Sequence, residues 1–193
     1  MKSDRPKRFV ASERELDLGE LGVELWACPH CKKNGTLIGH GYLRGYAERG
    51  QERVLRGRRL FCSNRHRRSG CGRTFSVKLS TVIAGFMVRT LTLFRFASAV
   101  VGGLTRRAGW LCAAGGVLSL SSGYRLWRGL CAAQSALRAQ LCREAPAPAC
   151  ASREPLAQLI AHIALVLGAG VAAGDADLFA TLQLCLEHGL FDG

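Results

Sequence analysis

The sequence has 193 residues, with 27 Lys and Arg against 14 Asp and Glu and a formal net charge of +13. That length suits one domain of ordinary size or two small ones. The charge is unevenly placed: residues 53–143 hold 17 basic groups and no acidic one, which excludes ion pairs within that stretch. Its arginines are expected to face water or an external polyanion. Nucleic acid is the first such partner, because neutralising phosphates releases counterions, and an anionic membrane surface is the second.

Residues 1–23 are mixed in charge and read as a loose arm. The opening MKSDRPKRF lacks the apolar core of a secretory signal. A cytoplasmic chain, at the nucleoid if it binds DNA, is therefore expected. In that compartment clustered cysteines favour metal over disulfides. Residues 24–80 are rich in Gly and Arg, and VELWAC, TLIGHGYL, RLFC and TFSV read as short strands joined by turns. A unit of roughly 60 residues buries too little apolar surface to be stable without a staple.

The cysteines supply one. Cys28 and Cys31 form a Cys-x-x-Cys turn, and Cys62 and Cys71 form a second pair. Four thiolates complete the tetrahedron of a closed, structural zinc site, so the expectation is one Zn2+ on Cys28, Cys31, Cys62 and Cys71. The spacing departs from a plain ribbon, with 30 residues between Cys31 and Cys62 and eight between Cys62 and Cys71. The insertion SNRHRRSG reads as a basic loop hung from the knuckle. His66 is a competing ligand in a Cys3His arrangement, whereas His30 sits inside the first turn and is expected to point outward. Four free thiols in a small apolar cluster, or a thioredoxin-type redox turn at CPHC, are the other readings. The last is disfavoured by the lack of a βαβ pattern. Cys112, Cys131, Cys142, Cys150 and Cys185 lie among Ala and Leu without ligand spacing and are expected to be small buried hydrophobes.

Residues 81–143 change character. Val88, Leu91, Leu93, Phe94, Phe96 and Ala97 suit a helix that ends near Gly102 and Gly103. A second helix is expected over Arg106–Ala114, broken at Gly115 and Gly116, and Leu118–Leu120 reads as a turn. A long helix then runs from about Gly123 to Cys142, capped by Ser121 or Ser122, with Leu126, Leu130, Ala133, Leu137 and Leu141 as its buried stripe. The last two helices form a helix-turn-helix candidate, in which the second helix enters the major groove. Arg125 and Arg128 are its candidates for base contact, since Arg reads guanine in bidentate fashion. Tyr124 is expected on the sugar-phosphate backbone and Arg106 and Arg107 on phosphates. In the first region Arg56, Arg58, Arg59, Arg65, Arg67, Arg68 and Arg73 are the expected nucleic-acid contacts.

Residues 144–155, EAPAPACASREP, read as a linker. Residues 156–193 read as a C-terminal helical hairpin: Ser152 and Pro155 open a helix that Gly168 ends, and Asp175 opens another over Asp177–His188 that Gly189 ends. The hairpin either packs on the 81–143 helices or forms a homodimer. The run Leu156–Val171 is apolar but short and interrupted by Gln158 and His162, so no membrane span is expected. The fold class is thus α+β: a small zinc-ribbon-like β domain followed by an all-helical region.

CPHC, NGTLIGHGYLRGY and RLFCSNRHRRSGCGRTFS together resemble the N-terminal zinc-binding domain of insertion-sequence transposases and their small companion proteins. Phe61-Cys62 and Cys71-Gly72-Arg73-Thr74-Phe75 match the closing motif of that domain, with the eight-residue insertion as the departure. The resemblance covers about residues 25–80 well and 81–143 loosely, and does not reach 144–193. It implies a DNA-binding, transposase-related protein; with only three Trp and three Tyr stacking platforms for single strands are sparse, so double-stranded DNA is the expected partner and RNA the alternative. Catalysis does not come with it. Strand transfer of the integrase type needs three carboxylates holding two metal ions, and the carboxylates after residue 144, among them Asp175, Asp177, Glu187 and Asp192, sit at helix ends. The chain is therefore expected not to be an enzyme.

Overall fold

A computed structural model describes residues 7–46, 48, 50, 52–152, 154, 156–168, 177–186 and 190. The expected helix start at Asp175, the stop at Gly189, and Pro155, Glu187 and Asp192 fall outside them. The chain divides into two units, Met1–Ser80 and Thr81–Gly193. The class is α+β, a four-stranded mixed sheet in the first unit and helices in the second.

In the first unit the alternating runs on either side of residues 47–52 become two ten-residue strands, β2 (Leu37–Tyr46) and β3 (Arg53–Cys62), paired antiparallel. β4 (Thr74–Leu79) pairs antiparallel with β3, from Gly57 opposite Lys78 to Phe61 opposite Thr74. The β2–β3 ladder therefore runs beyond the part of β3 that β4 covers, as a two-stranded ribbon that carries the exposed Tyr46, while the exposed Tyr42, opposite Arg58, lies on the three-stranded part.

Residues 7–23, expected as part of a loose arm, form defined elements. Their first strand, β1 (Phe9–Val10), adds to the sheet parallel to β4, giving the order β1-β4-β3-β2. Short helical turns follow, including α1 (Leu18–Leu21), whose N-cap Asp17 accepts a hydrogen bond from the Gly19 amide. VELWAC, expected as a strand, forms a 3₁₀ turn over Val23–Leu25 instead. The reason is burial. Leu16, Leu21, Val23 and Trp26 are all buried, as are Leu60 and Val77 on the sheet. Each such side chain contributes about 1.5–3 kcal/mol when removed from water. A mixed-charge segment that supplies four of them belongs to the core, whatever its surface polarity.

The second unit is built on α2 (Thr90–Val101), α3 (Arg106–Ala114), α4 (Leu120–Leu141), α5 (Ala157–Leu167) and α6 (Leu178–Cys185). Thr105 caps α3 through the Ala108 amide, and Gly115, at φ 62°, ends it in the left-handed conformation. The Phe96 ring meets Trp110 at 5.2 Å and Trp127 at 5.5 Å, both edge-on, which locks α2, α3 and α4 around one aromatic centre. Gly123 lets α4 approach that closely, because a Cβ there would lie 2.6 Å from the Trp110 ring. Leu126, Leu130, Leu137 and Leu141 are buried as their spacing implies. α4 begins at Leu120, one or two residues before the expected cap, with Ser119 in the N-cap position.

Residues 144–155 are not a free linker. The His162 ring Nε2 lies 2.9 Å from the Ala145 carbonyl, and Gln158 donates to the Pro148 carbonyl at 3.0 Å. These bonds hold the connector to α5, and Leu156, Leu159, Ile163, Phe179 and Leu182 join the same apolar cluster as α2–α4. The C-terminal helices are thus part of one helical core. Asp177 caps α6 through the Ala180 amide and accepts the Thr90 hydroxyl, and Gln183 donates to the Val82 carbonyl. No helix among the described residues is long and apolar enough to cross a membrane.

Candidate metal centre and basic surface

The hairpin brings its two ends together at the register Leu37 opposite Cys62. Cys28 and Cys31 enter this end on a tight turn: the Lys32 amide donates to the Cys28 carbonyl, the Cys28 amide to the Lys33 carbonyl, and Lys32 takes φ 62°. Cys62 closes β3, and Cys71 returns just before β4. The four sulfurs lie within 4.8 Å of one another, with Cys28–Cys71 at 3.8 Å and Cys31–Cys62 at 3.7 Å. A tetrahedron with metal–sulfur bonds of about 2.3 Å has sulfur–sulfur edges of about 3.8 Å. The cluster is therefore shaped to hold one metal ion. Neither His30 nor His66 belongs to it.

Backbone and hydroxyl groups converge on the sulfurs. The His30 amide donates to Cys28 Sγ at 3.4 Å, the Cys71 amide to Cys62 Sγ at 3.2 Å, and the Thr36 hydroxyl lies 3.2 Å from Cys62 Sγ. Burial pushes the Cys28 thiol up to about 11. Burial also raises Cys62, but the Thr36 hydroxyl, the Cys71 amide and the neighbouring thiols outweigh it and bring that thiol down to about 7. One corner of the cluster is thus ready to be anionic before any cation arrives.

Thr36, Ser63 and Gly70 were not singled out from the sequence. Thr36 is the only one that left a signal, a hydroxyl residue shortly after the first cysteine pair. The other five cysteines depart from expectation: Cys112, Cys142, Cys150 and Cys185 are exposed and Cys131 is half-buried. Each helical one falls beside, rather than on, the apolar stripe of its helix.

The basic residues separate by unit. In the first, Arg59, Arg65, Arg67, Arg68 and Arg73 are exposed, and Arg56 is half-buried with its stem over Gly45. Arg58 departs from the expected polyanion-facing role. Its guanidinium donates to the Leu16 carbonyl at 2.9 Å and lies 4.8 Å over the Tyr42 ring, so it ties the N-terminal segment to the hairpin. In the second unit Arg106, Arg107, Tyr124, Arg125 and Arg128 are all exposed. Arg106 sits over the Trp127 ring at 5.3 Å and Arg125 over Phe86 at 5.0 Å. No protein-family model, no curated protein and no solved structure matches this chain.

Proposed function

We propose that this chain is a nucleic-acid-binding protein whose cysteine cluster holds one structural zinc ion. Duplex DNA is its ligand, and it is related to the zinc-binding domains of insertion-sequence transposases. The observation that carries the reading is the exposure of Arg59, Arg65, Arg67, Arg68 and Arg73 around the metal knuckle, in a stretch with no carboxylate to neutralise them. Zinc is the metal that four thiolates at tetrahedral spacing select in a redox-inert, structural role. Its chemistry here is to staple the sheet: four sulfurs fill its coordination and leave no position for substrate. The chain is thus a binding module rather than an enzyme.

The second unit supports the same reading. α3 and α4 are joined through Gly115 to Ser119, and Tyr124, Arg125 and Arg128 stand exposed in the first turns of α4. A second helix entering the major groove presents its N-terminal residues to base edges. Arg106 and Arg107 open α3 where phosphates would lie.

Salt dependence tests the proposal. If five phosphates are neutralised, affinity for a duplex falls on the order of 500-fold between 50 and 200 mM salt. A flat response refutes it. The exposed Tyr42 and Tyr46 on β2 favour a second reading, single-stranded nucleic acid held by stacking. Tighter binding of a single strand than of a duplex of the same sequence selects that reading.

A further inference from the structure

Cys62 and Cys71 stand eight residues apart, yet they act as neighbours. The Gly70 amide donates to the Ser63 carbonyl at 2.9 Å, and the Gly72 amide donates to the Cys62 carbonyl at 2.9 Å. Ser63 is itself held by the Thr36 carbonyl at 2.8 Å. Gly70 approaches so closely that a Cβ on it would lie 2.2 Å from the Ser63 carbonyl oxygen. The chain leaves the knuckle at Ser63 and re-enters it at Gly70. Cys62, Ser63, Gly70 and Cys71 together thus play the part of a Cys-x-x-Cys turn, and residues 64–69 stand outside it.

These six residues, Asn64 to Ser69, are all exposed. They form a hairpin closed by the Arg68 amide on the Arg65 carbonyl at 3.1 Å, with His66 at φ 51° and Arg67 at φ 64°. Both central residues carry side chains in a region that favours glycine. The base is pinned by the Lys33 ammonium on the Ser69 carbonyl at 2.8 Å and by the Arg68 guanidinium near the Gly35 carbonyl. The loop buries none of its side chains and contains three arginines without a carboxylate. Backbone strain of this kind clusters at functional sites, ligand clamps among them.

We propose that Asn64–Ser69 is a phosphate-gripping finger: an insertion the metal centre tolerates, which holds the nucleic-acid backbone through Arg65, Arg67 and Arg68. This rests on the nucleic-acid reading above and adds to it a separable element with one task. Phosphate is the fitting ligand, since the loop offers a concentrated positive charge and no apolar side chain.

Two variants test it on the full chain, with a labelled 30-base-pair duplex of arbitrary sequence as probe. Deleting residues 64–69 joins Ser63 to Gly70 and is expected to leave one metal per chain. The triple variant Arg65→Gln, Arg67→Gln, Arg68→Gln keeps the loop's length, the Ser63–Gly70 neck and the Lys33 contact to Ser69, and gives up only the 3.5 Å contact of Arg68 with the Gly35 carbonyl. In both, the slope of log affinity against log salt is expected to become shallower by about 2.7, three charges at 0.9 each. Between 50 and 200 mM salt that difference amounts to about 40-fold. If the wild-type chain binds with salt dependence and the triple variant matches it in affinity and slope, the finger is overturned and the nucleic-acid reading stands. If the wild-type chain does not bind, that reading falls and the finger falls with it. Loss of metal from the deletion variant overturns the claim that the loop is an insertion outside the knuckle.

Discussion

Replacing Gly70 by Ala probes the neck of the metal knuckle directly. The added Cβ would meet three backbone atoms: Ser63 O at 2.2 Å, Ser63 C at 2.7 Å and Cys62 C at 2.8 Å. None is the free end of a side chain, so the strands of the neck must separate by about 1 Å to reach ordinary contact distance. That movement breaks the Gly70–Ser63 hydrogen bond, a loss of about 0.5–1.5 kcal/mol, and adds overpacking strain of about 1–3 kcal/mol. The total, about 1.5–4.5 kcal/mol, falls on the geometry of Cys62 and Cys71. It therefore appears as a loss of metal affinity of roughly 10- to 1,500-fold, at about 1.4 kcal/mol per tenfold. Competition against a calibrated chelator measures it. Gly35→Ala is the control: Gly35 is also left-handed, at φ 65°, but nothing lies within 4 Å of its Cβ position. It should cost only the left-handed penalty of about 1–2 kcal/mol. Metal affinity in the Gly70 variant equal to wild type, or no lower than in the Gly35 variant, would refute the close neck.

Metal removal should abolish the structure of Met1–Ser80 while Thr81–Gly193 keeps its helices, because a structural zinc site contributes on the order of 10 kcal/mol to folding and the helical core has no share in it. Circular dichroism before and after chelation reads this, and a concerted loss of helix would argue against it. Burial raises the Asp177 carboxyl, against the pull of the Thr90 hydroxyl and the α6 amides. A raised carboxyl favours the fold when protonated, so its ionisation costs stability as pH rises. Asp177→Asn should therefore gain in melting temperature relative to wild type between pH 3 and 7, and a relative loss over that range would contradict the assignment.

The strand runs TLIGHGYL, RLFC and TFSV, both cysteine pairs and α3 were legible in the sequence because each has a local physical mark, whereas the extension of β3 back to Arg53 was not. Strands alternate, Cys-x-x-Cys is a turn, and Thr105 with Gly115 brackets a helix at both ends. The N-terminal cover was hidden because Leu16, Leu21, Val23 and Trp26 follow no period. Their burial comes from successive short turns that each aim one side chain at the sheet. The neck at Ser63 and Gly70 was hidden for a similar reason: it is a contact across a loop, and only the close approach of two backbones explains why a glycine is needed there. The exposed cysteines show the converse error. An Ala- and Leu-rich neighbourhood describes a helix, but its phase decides which residues face inward, and Cys112 and Cys142 fall on the outer side.

A stretch of 91 residues without a carboxylate raises the question of what orders its arginines. For three of them the answer is a π face or a carbonyl. Arg58 uses the Leu16 carbonyl and the Tyr42 ring, Arg106 the Trp127 ring, and Arg125 the Phe86 ring. A carboxylate partner would order a guanidinium equally well, but it would cancel the field that draws a polyanion. A ring or carbonyl fixes the side chain and leaves its charge in place. On the proposed nucleic-acid reading, this lowers the conformational entropy that the exposed Arg106 and Arg125 lose when a phosphate or base edge is engaged. If the proposed function holds, replacing Phe86 by Leu should accordingly weaken nucleic-acid binding with no change in the salt slope, since the number of charges is the same. Measured slopes separate this from charge loss: a shallower slope in Phe86→Leu would mean that the ring does more than hold Arg125 in place.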